Sequence, residues 1–302
     1  MLFVVASTLG NSFFPERDAL QLIAWSGLII LPFPILATAW FVRERPLPPR
    51  TTAASVDWRG GLRIMLANKP YMRILGSYFA NGLANAFPIT LMFFYVKQVI
   101  ERPDWTAIFL AAYFVAAIAG TPVGLWIYGR LRKHLAWRYG LILAILAFAI
   151  IPFLGSGDTI AFLAVTLIAG FTLGADLAMP ASMLADAVDQ DTLESGKQRT
   201  GIYFAVWGMA AKAAAALVVG GSLTLLDAVG FVPDMYNHPE AILVLALLFG
   251  ACPVGFKLIA LAIVWKHPLT ADRQAELRPA LSAQTAYCVM LARVLLRVRN
   301  CR

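Results

Sequence analysis

Apolar residues in this chain are gathered into long unbroken runs separated by short charged stretches. Seven runs, 19–42, 74–96, 106–128, 137–154, 159–181, 201–226 and 241–265, are each long enough to span a hydrocarbon core that takes about 20 helical residues (~17–25). Within them apolarity is continuous and does not alternate every second position. The pattern therefore predicts transmembrane helices and argues against barrel strands. Composition agrees: 60% of the 302 residues are apolar, 14% are charged, and mean hydropathy is +0.72. Soluble domains sit near ~45–50% apolar and ~25% charged. The implied fold class is an all-α membrane protein that crosses the bilayer several times.

The formal charge of +8 would suggest nucleic-acid binding in a soluble chain, but here its distribution reads as topology. Seven Lys and Arg fall between Arg43 and Arg73, four between Arg130 and Arg138, two at Lys197 and Arg199, and seven from Lys266 to Arg302. The opposite set of connections holds only Arg17, Lys97 and Arg102. The positive-inside rule puts the first set, and the C-terminus, in the cytoplasm, as expected for a multi-pass protein of the cell (inner) membrane. Trp105, Trp126, Trp137 and Trp265 fall near span ends, where interfacial aromatics belong. Residues 1–9, MLFVVASTL, are too short to span and lack the basic n-region of a signal peptide. They read as the last turns of a preceding helix, or else as a short interfacial or disordered leader. Residues 281–299 read either as a basic amphipathic helix on the inner leaflet or as a disordered tail.

Polar residues at depth are the candidates for chemistry, because each charge there costs at least ~2.5–3.5 kcal/mol. Asp176 and Lys212 lie at matching depth, about 15 Å from the same side, on consecutive antiparallel spans. They are expected to pair or to face a common cavity, with a structural ion pair as the plain alternative. Lys257, about 12 Å from the span end at Trp265, reads as a structural, snorkelling lysine. Tyr78, Asn81 and Asn85 are spaced i, i+3 and i+7, which puts a ring and two amides on one helix face. A sugar needs that combination, and interhelical hydrogen bonding by the amides would also account for it. Gly120–Gly124 and Gly170–Gly174 fit the GxxxG spacing of closely packed helices. Seven prolines, Pro32, Pro34, Pro88, Pro122, Pro152, Pro180 and Pro253, interrupt the spans, as in helices that line transporter cavities.

Several classes are disfavoured. Gly196-Lys197 lacks the rest of a P-loop, and no GxSxG elbow or HExxH helix occurs. Cys252, Cys288 and Cys301 have no CxxC spacing, and His134, His238 and His267 are far apart, so no metal site or disulfide framework is indicated. No nucleophile, base and oxyanion arrangement gathers in one place, so an enzyme is not indicated. Energy for any transport has to come from a gradient.

The segment from Pro180 to Ala214, PASMLADAVDQDTLESGKQRTGIYFAVWGMAAKAA, resembles the signature of the glycoside-pentoside-hexuronide:cation symporters, the melibiose-permease-type branch of the major facilitator superfamily. The matching positions are Leu184, Ala185, Asp186 and Asp189, then Gly196, Lys197, Arg199 and Gly201, then Lys212. NKPYMRILGSYFANGLA from Asn68 is similar to the start of that family's second half, and KHPLT at Lys266 to its close, so the resemblance covers about 57–275.

This resemblance implies two six-helix bundles with substrate between them, of which the chain carries the last helix and a half of the first and all of the second. The expected parts are a remnant of the first bundle (1–42), a cytoplasmic central loop (43–73), a six-helix bundle (74–265) and a basic cytoplasmic tail (266–302). It implies that Lys212 is a cavity residue and that Asp186 and Asp189 belong to a cytoplasmic gate. The family's cation-coordinating acids lie on early helices with no counterpart here, so no cation site carries over. Asp186, Asp189, Asp191 and Glu194 are expected to face Lys197 and Arg199 across a short inner loop, as gate pairs or as ordinary solvated charges. The expected function is alternating-access transport of a sugar or glycoside coupled to Na⁺ or H⁺, incomplete in a chain of this extent. A non-transporting membrane scaffold or partner-binding module is the alternative. Beyond the coupling cation no cofactor is implied; the expected partners are the substrate and the lipid bilayer, with no nucleic acid.

Overall fold

The computed structural model describes residues 21, 25, 27–41, 58–130, 133–195, 199–233 and 235–265. The readings of residues 1–9, Lys197, KHPLT and the 281–299 tail lie outside the described residues. The chain divides into two units, Met1–Val56 with Ser282–Arg302, and Asp57–Leu281. In the first, α1 (Pro32–Phe41) is an uncharged helix whose Thr38 hydroxyl donates to the Pro34 carbonyl at 2.7 Å. It lies within the apolar stretch Gly27–Phe41, the described part of the predicted 19–42 span.

The second unit holds α2 (Trp58–Ala67), α3 (Lys69–Gln98), α4 (Thr106–Arg130), α5 (Lys133–Ile150), α6 (Thr159–Ser195), α7 (Thr200–Ala228), α8 (Pro239–Ala246) and α9 (Cys252–Trp265). A π-turn, Leu247–Ala251, joins α8 to α9. Among the described residues six stretches are long and apolar enough to cross a membrane: Lys69–Gln98, Pro103–Gly124, Leu135–Phe153, Thr159–Thr192, Thr200–Ala228 and Pro239–Trp265. Each overlaps one of the last six predicted runs. No strand occurs among the described residues.

Two boundaries differ from the sequence reading, for local reasons. The predicted loop 43–73 contains α2, whose Met65 is fully buried, because its apolar positions recur at helical spacing. Asn68 then caps α3 by accepting from the Tyr71 N–H at 3.0 Å, and Pro70 sits in the first turn. At the other boundary α6 runs through Pro180 to Ser195 instead of ending at 181. Asp186, Asp189 and Asp191 are therefore on a helix and not in a loop.

Packing order does not follow chain order. The most extensive contact is α4 on α6, followed by α3 on α9, α5 on α6, α3 on α7 and α5 on α9. Consecutive α6 and α7 barely touch. Glycine explains the closeness of α4 and α6: a Cβ on Gly120 would strike the Phe171 carbonyl, and one on Gly170 the Tyr113 carbonyl. These are the expected GxxxG positions, and they allow backbone-to-backbone approach. Of the four tryptophans read as interfacial, Trp126 and Trp265 are exposed, Trp105 is partly buried, and Trp137 is fully buried. Its ring packs inside the bundle.

Gly170→Ala is expected to lower stability by about 1–3 kcal/mol through overpacking against backbone. Gly208→Ala, where an added Cβ meets nothing within 4 Å, should leave it unchanged. Thermal unfolding in detergent checks the contrast.

Candidate functional site

α6 is flanked by α4, α5 and α3, and α9 lies against α3 and α5. Asp176 on α6 and Lys257 on α9 thus look into the same interior, with α3 and α5 as its other walls. Lys257 Nζ lies 3.2 Å from Asp176 Oδ2, and their side chains are 1% and 2% exposed. Neighbouring polar groups add to the pair. Lys257 also donates to Asn81 Oδ1 at 2.8 Å. The Trp137 indole N–H donates to Asp176 Oδ1 at 3.0 Å, and Asn85 Nδ2 donates to Asp176 Oδ2 at 3.4 Å. The carboxylate therefore accepts from an ammonium, an indole and an amide, hydrogen bonds that offset part of the cost of burying the ion pair.

The expected pairing of Asp176 with Lys212 is corrected. α7 packs mainly on α3 and barely touches α6, and the acid on α6 takes its bonds from α3, α5 and α9. Its side chain is exposed and makes no hydrogen bond or ion pair among the described residues. The buried acid takes Lys257 instead, the lysine that the sequence suggested was snorkelling. Lys257 is fully buried, and Pro253 with the preceding π-turn sets the phase at which α9 delivers it.

The Tyr78, Asn81 and Asn85 face is also divided. Tyr78 stacks on Trp207 of α7, with centroids 3.7 Å apart and planes at 15°. Asn81 is 2% exposed and turned to Lys257, whereas Asn85, half-buried, links the ion pair to the bundle surface. One face of the ring and both amides are thus engaged within the protein. Trp137 and Trp207 had no functional reading in the sequence.

A second polar cluster closes the end of the bundle where α6 passes to α7. Arg199 Nη1 lies 3.3 Å from both carboxylate oxygens of Asp191, a residue that is 6% exposed. Asn68 Nδ2 donates to the Tyr203 hydroxyl at 3.4 Å, and the Tyr71 hydroxyl donates to the Tyr203 carbonyl at 3.1 Å. Tyr71 and Tyr203 meet edge to face at 4.6 Å. Of the gate residues named from the sequence, Arg199 is in this cluster, paired with Asp191. Asp186 is half-buried and Asp189 exposed, both earlier on α6 than Asp191.

Residues 1–271 match the family model described as MFS/sugar transport protein. The chain belongs to this family. Among its curated relatives, the sodium-dependent lysophosphatidylcholine symporter 1-A of Danio rerio is 25% identical over 273 residues, covering 88% of this chain and 51% of that protein. The sphingosine-1-phosphate transporter MFSD2B of Xenopus tropicalis is 25% identical over 244 residues, 80% of this chain and 47% of its own length. The glucuronide carrier protein homolog of Escherichia coli K12 is 23% identical over 282 residues, with coverage of 92% and 60%. The chain thus spans about half the length of the curated relatives it matches. The family is one of multi-pass membrane proteins, and the relatives named are transporters rather than enzymes.

Removing one charge of the central pair leaves the other buried and unmatched, so Asp176→Asn and Lys257→Met are each expected to cost about 3–5 kcal/mol. The double replacement should cost less than the sum. A double-mutant cycle by unfolding in detergent reads the coupling, and additivity would show that the two charges do not meet.

Proposed function

We propose that this chain takes part in cation-coupled secondary transport, by alternating access, of a substrate that carries an anionic group, with Lys212 as the charge that receives it. The observation behind this reading is an imbalance of charge at depth. Asp176 is already matched by Lys257, so Lys212, the thirteenth residue of the 29-residue α7, holds an exposed ammonium that pairs with no acid among the described residues. An intramembrane cation is costly and marks a substrate or ion path.

Relatives support the transport class and widen the substrate. Their names span a lysophospholipid, a sphingoid phosphate and a glucuronide. Phosphate or carboxylate is common to all three. A sugar is therefore one form of the cargo and a lipid the other, and the stacked Tyr78–Trp207 pair beside α7 offers apolar surface to either. The Asp191–Arg199 pair, with Asp186, Asp189 and Lys197, forms the gate at the cytoplasmic end, and the C-terminus lies on that side of the cell membrane.

Uptake into proteoliposomes with an imposed Na⁺ or H⁺ gradient tests the reading, with labelled glucuronide and labelled lysophosphatidylcholine as separate arms. Gradient-driven uptake of one arm is expected. Lys212→Met should reduce it about tenfold or more, the loss of one charge-assisted contact of roughly 1.5–3 kcal/mol. Uptake of neither compound would favour the scaffold alternative, and undiminished uptake by Lys212→Met would remove Lys212 from the site.

A further inference from the structure

The groups that surround the Lys257 ammonium are those that bind a free cation. Asn81 presents its carbonyl oxygen at 2.8 Å and Asp176 a carboxylate oxygen at 3.2 Å. A neutral and an anionic oxygen make the oxygen-only donor set that hard cations take. A further oxygen is freed at the same residue. Pro180 lies four positions after Asp176 inside α6 and has no N–H, so the Asp176 backbone carbonyl lacks its ordinary helical donor. Broken helical hydrogen bonding beside a carboxylate is a recurrent way of coordinating cations inside membranes.

We propose that Asp176 and Asn81 form a monovalent-cation site whose resident cation is the Lys257 ammonium, tethered to α9 in the place a free Na⁺ would otherwise occupy. Lys257 is among the largest fully buried side chains. Its stem fills the approach to the oxygens, and its charge repels a second cation. The remaining donors hold the anion in place and bring no charge of their own. Trp137 from α5 and Asn85 from α3 bond the carboxylate. Among the described residues Lys257 is thus the one counter-charge bonded to Asp176. It follows that this bundle neutralises its central acid without sodium, so a sodium requirement of transport would arise at another site. The inference concerns ion occupancy and does not rest on the transport reading.

Truncating the lysine should reveal the site. The full chain is compared with Lys257→Ala, Lys257→Met and the double variant Lys257→Ala/Asp176→Asn, by thermal unfolding in detergent. NaCl or LiCl is set against choline chloride at equal ionic strength, across a range of pH. Lys257→Ala leaves a buried cavity ending in oxygens, and its unfolding temperature should rise with Na⁺ or Li⁺ relative to choline, as binding to the folded state requires. Lys257→Met removes the same charge but fills the space. It should ignore Na⁺ and gain stability as pH falls, because a buried carboxylate without a counter-ion is stable only when protonated.

The double variant should show neither dependence, and the unaltered chain should show no Na⁺ response that Asp176→Asn removes. Three results would overturn the proposal. One is a Lys257→Ala protein indifferent to Na⁺ and Li⁺. Another is a sodium response that survives in the double variant. The third is a Lys257→Ala protein that folds in neither salt while Lys257→Met folds, the behaviour of a plain structural pair.

Discussion

One buried acid has to be neutralised inside a bundle that offers it almost no water, and the interior of the bundle is arranged around that need. Four helices meet at Asp176: α6 carries it, α9 brings the lysine, α3 the two amides and α5 the indole. Neither charge is tolerable alone in this setting, so the pair favours one register for α9 against α6. Apolar packing around it supplies most of the stabilisation but less of the specificity. Leu, Ala and Phe side chains fit several registers, whereas a carboxylate with three donors fits one.

Close backbone contact serves the same arrangement from outside. Gly120 and Gly170 let the backbones of α4 and α6 meet directly. With α4 pressed on one side of α6, the other faces turn to α5 and α3, where the polar groups wait. The Asp191–Arg199 pair and the Tyr71–Tyr203 contact tie the far end of α6 to α7 and α3.

The spans were legible because the bilayer imposes a length and an apolarity that few other constraints produce, and six of the seven runs overlap stretches long enough to cross it. Helix contacts were less legible. Asp176 is the only acid within the seven predicted spans, and two lysines, Lys212 and Lys257, compete for it. Neighbours in the chain suggested Lys212, but α6 and α7 are neighbours in sequence more than in space. Matching depth constrains one coordinate of three. Lateral position depends on which helices pack together, and small-residue spacing reveals only the α4–α6 contact. Trp137 misled for a related reason: its place near a span end fits an interfacial belt, but its ring packs in the apolar core and its N–H meets Asp176.

The most direct test of this account reads the Asp176 environment through the indole that touches it. The ¹⁵N–¹H resonance of the Trp137 indole, followed in detergent micelles, should move in Asp176→Asn and in Lys257→Met and stay fixed in Lys212→Met. A resonance that moved with Lys212→Met and ignored Lys257→Met would mean that the acid has a different partner, and the arrangement described for the bundle interior would be wrong.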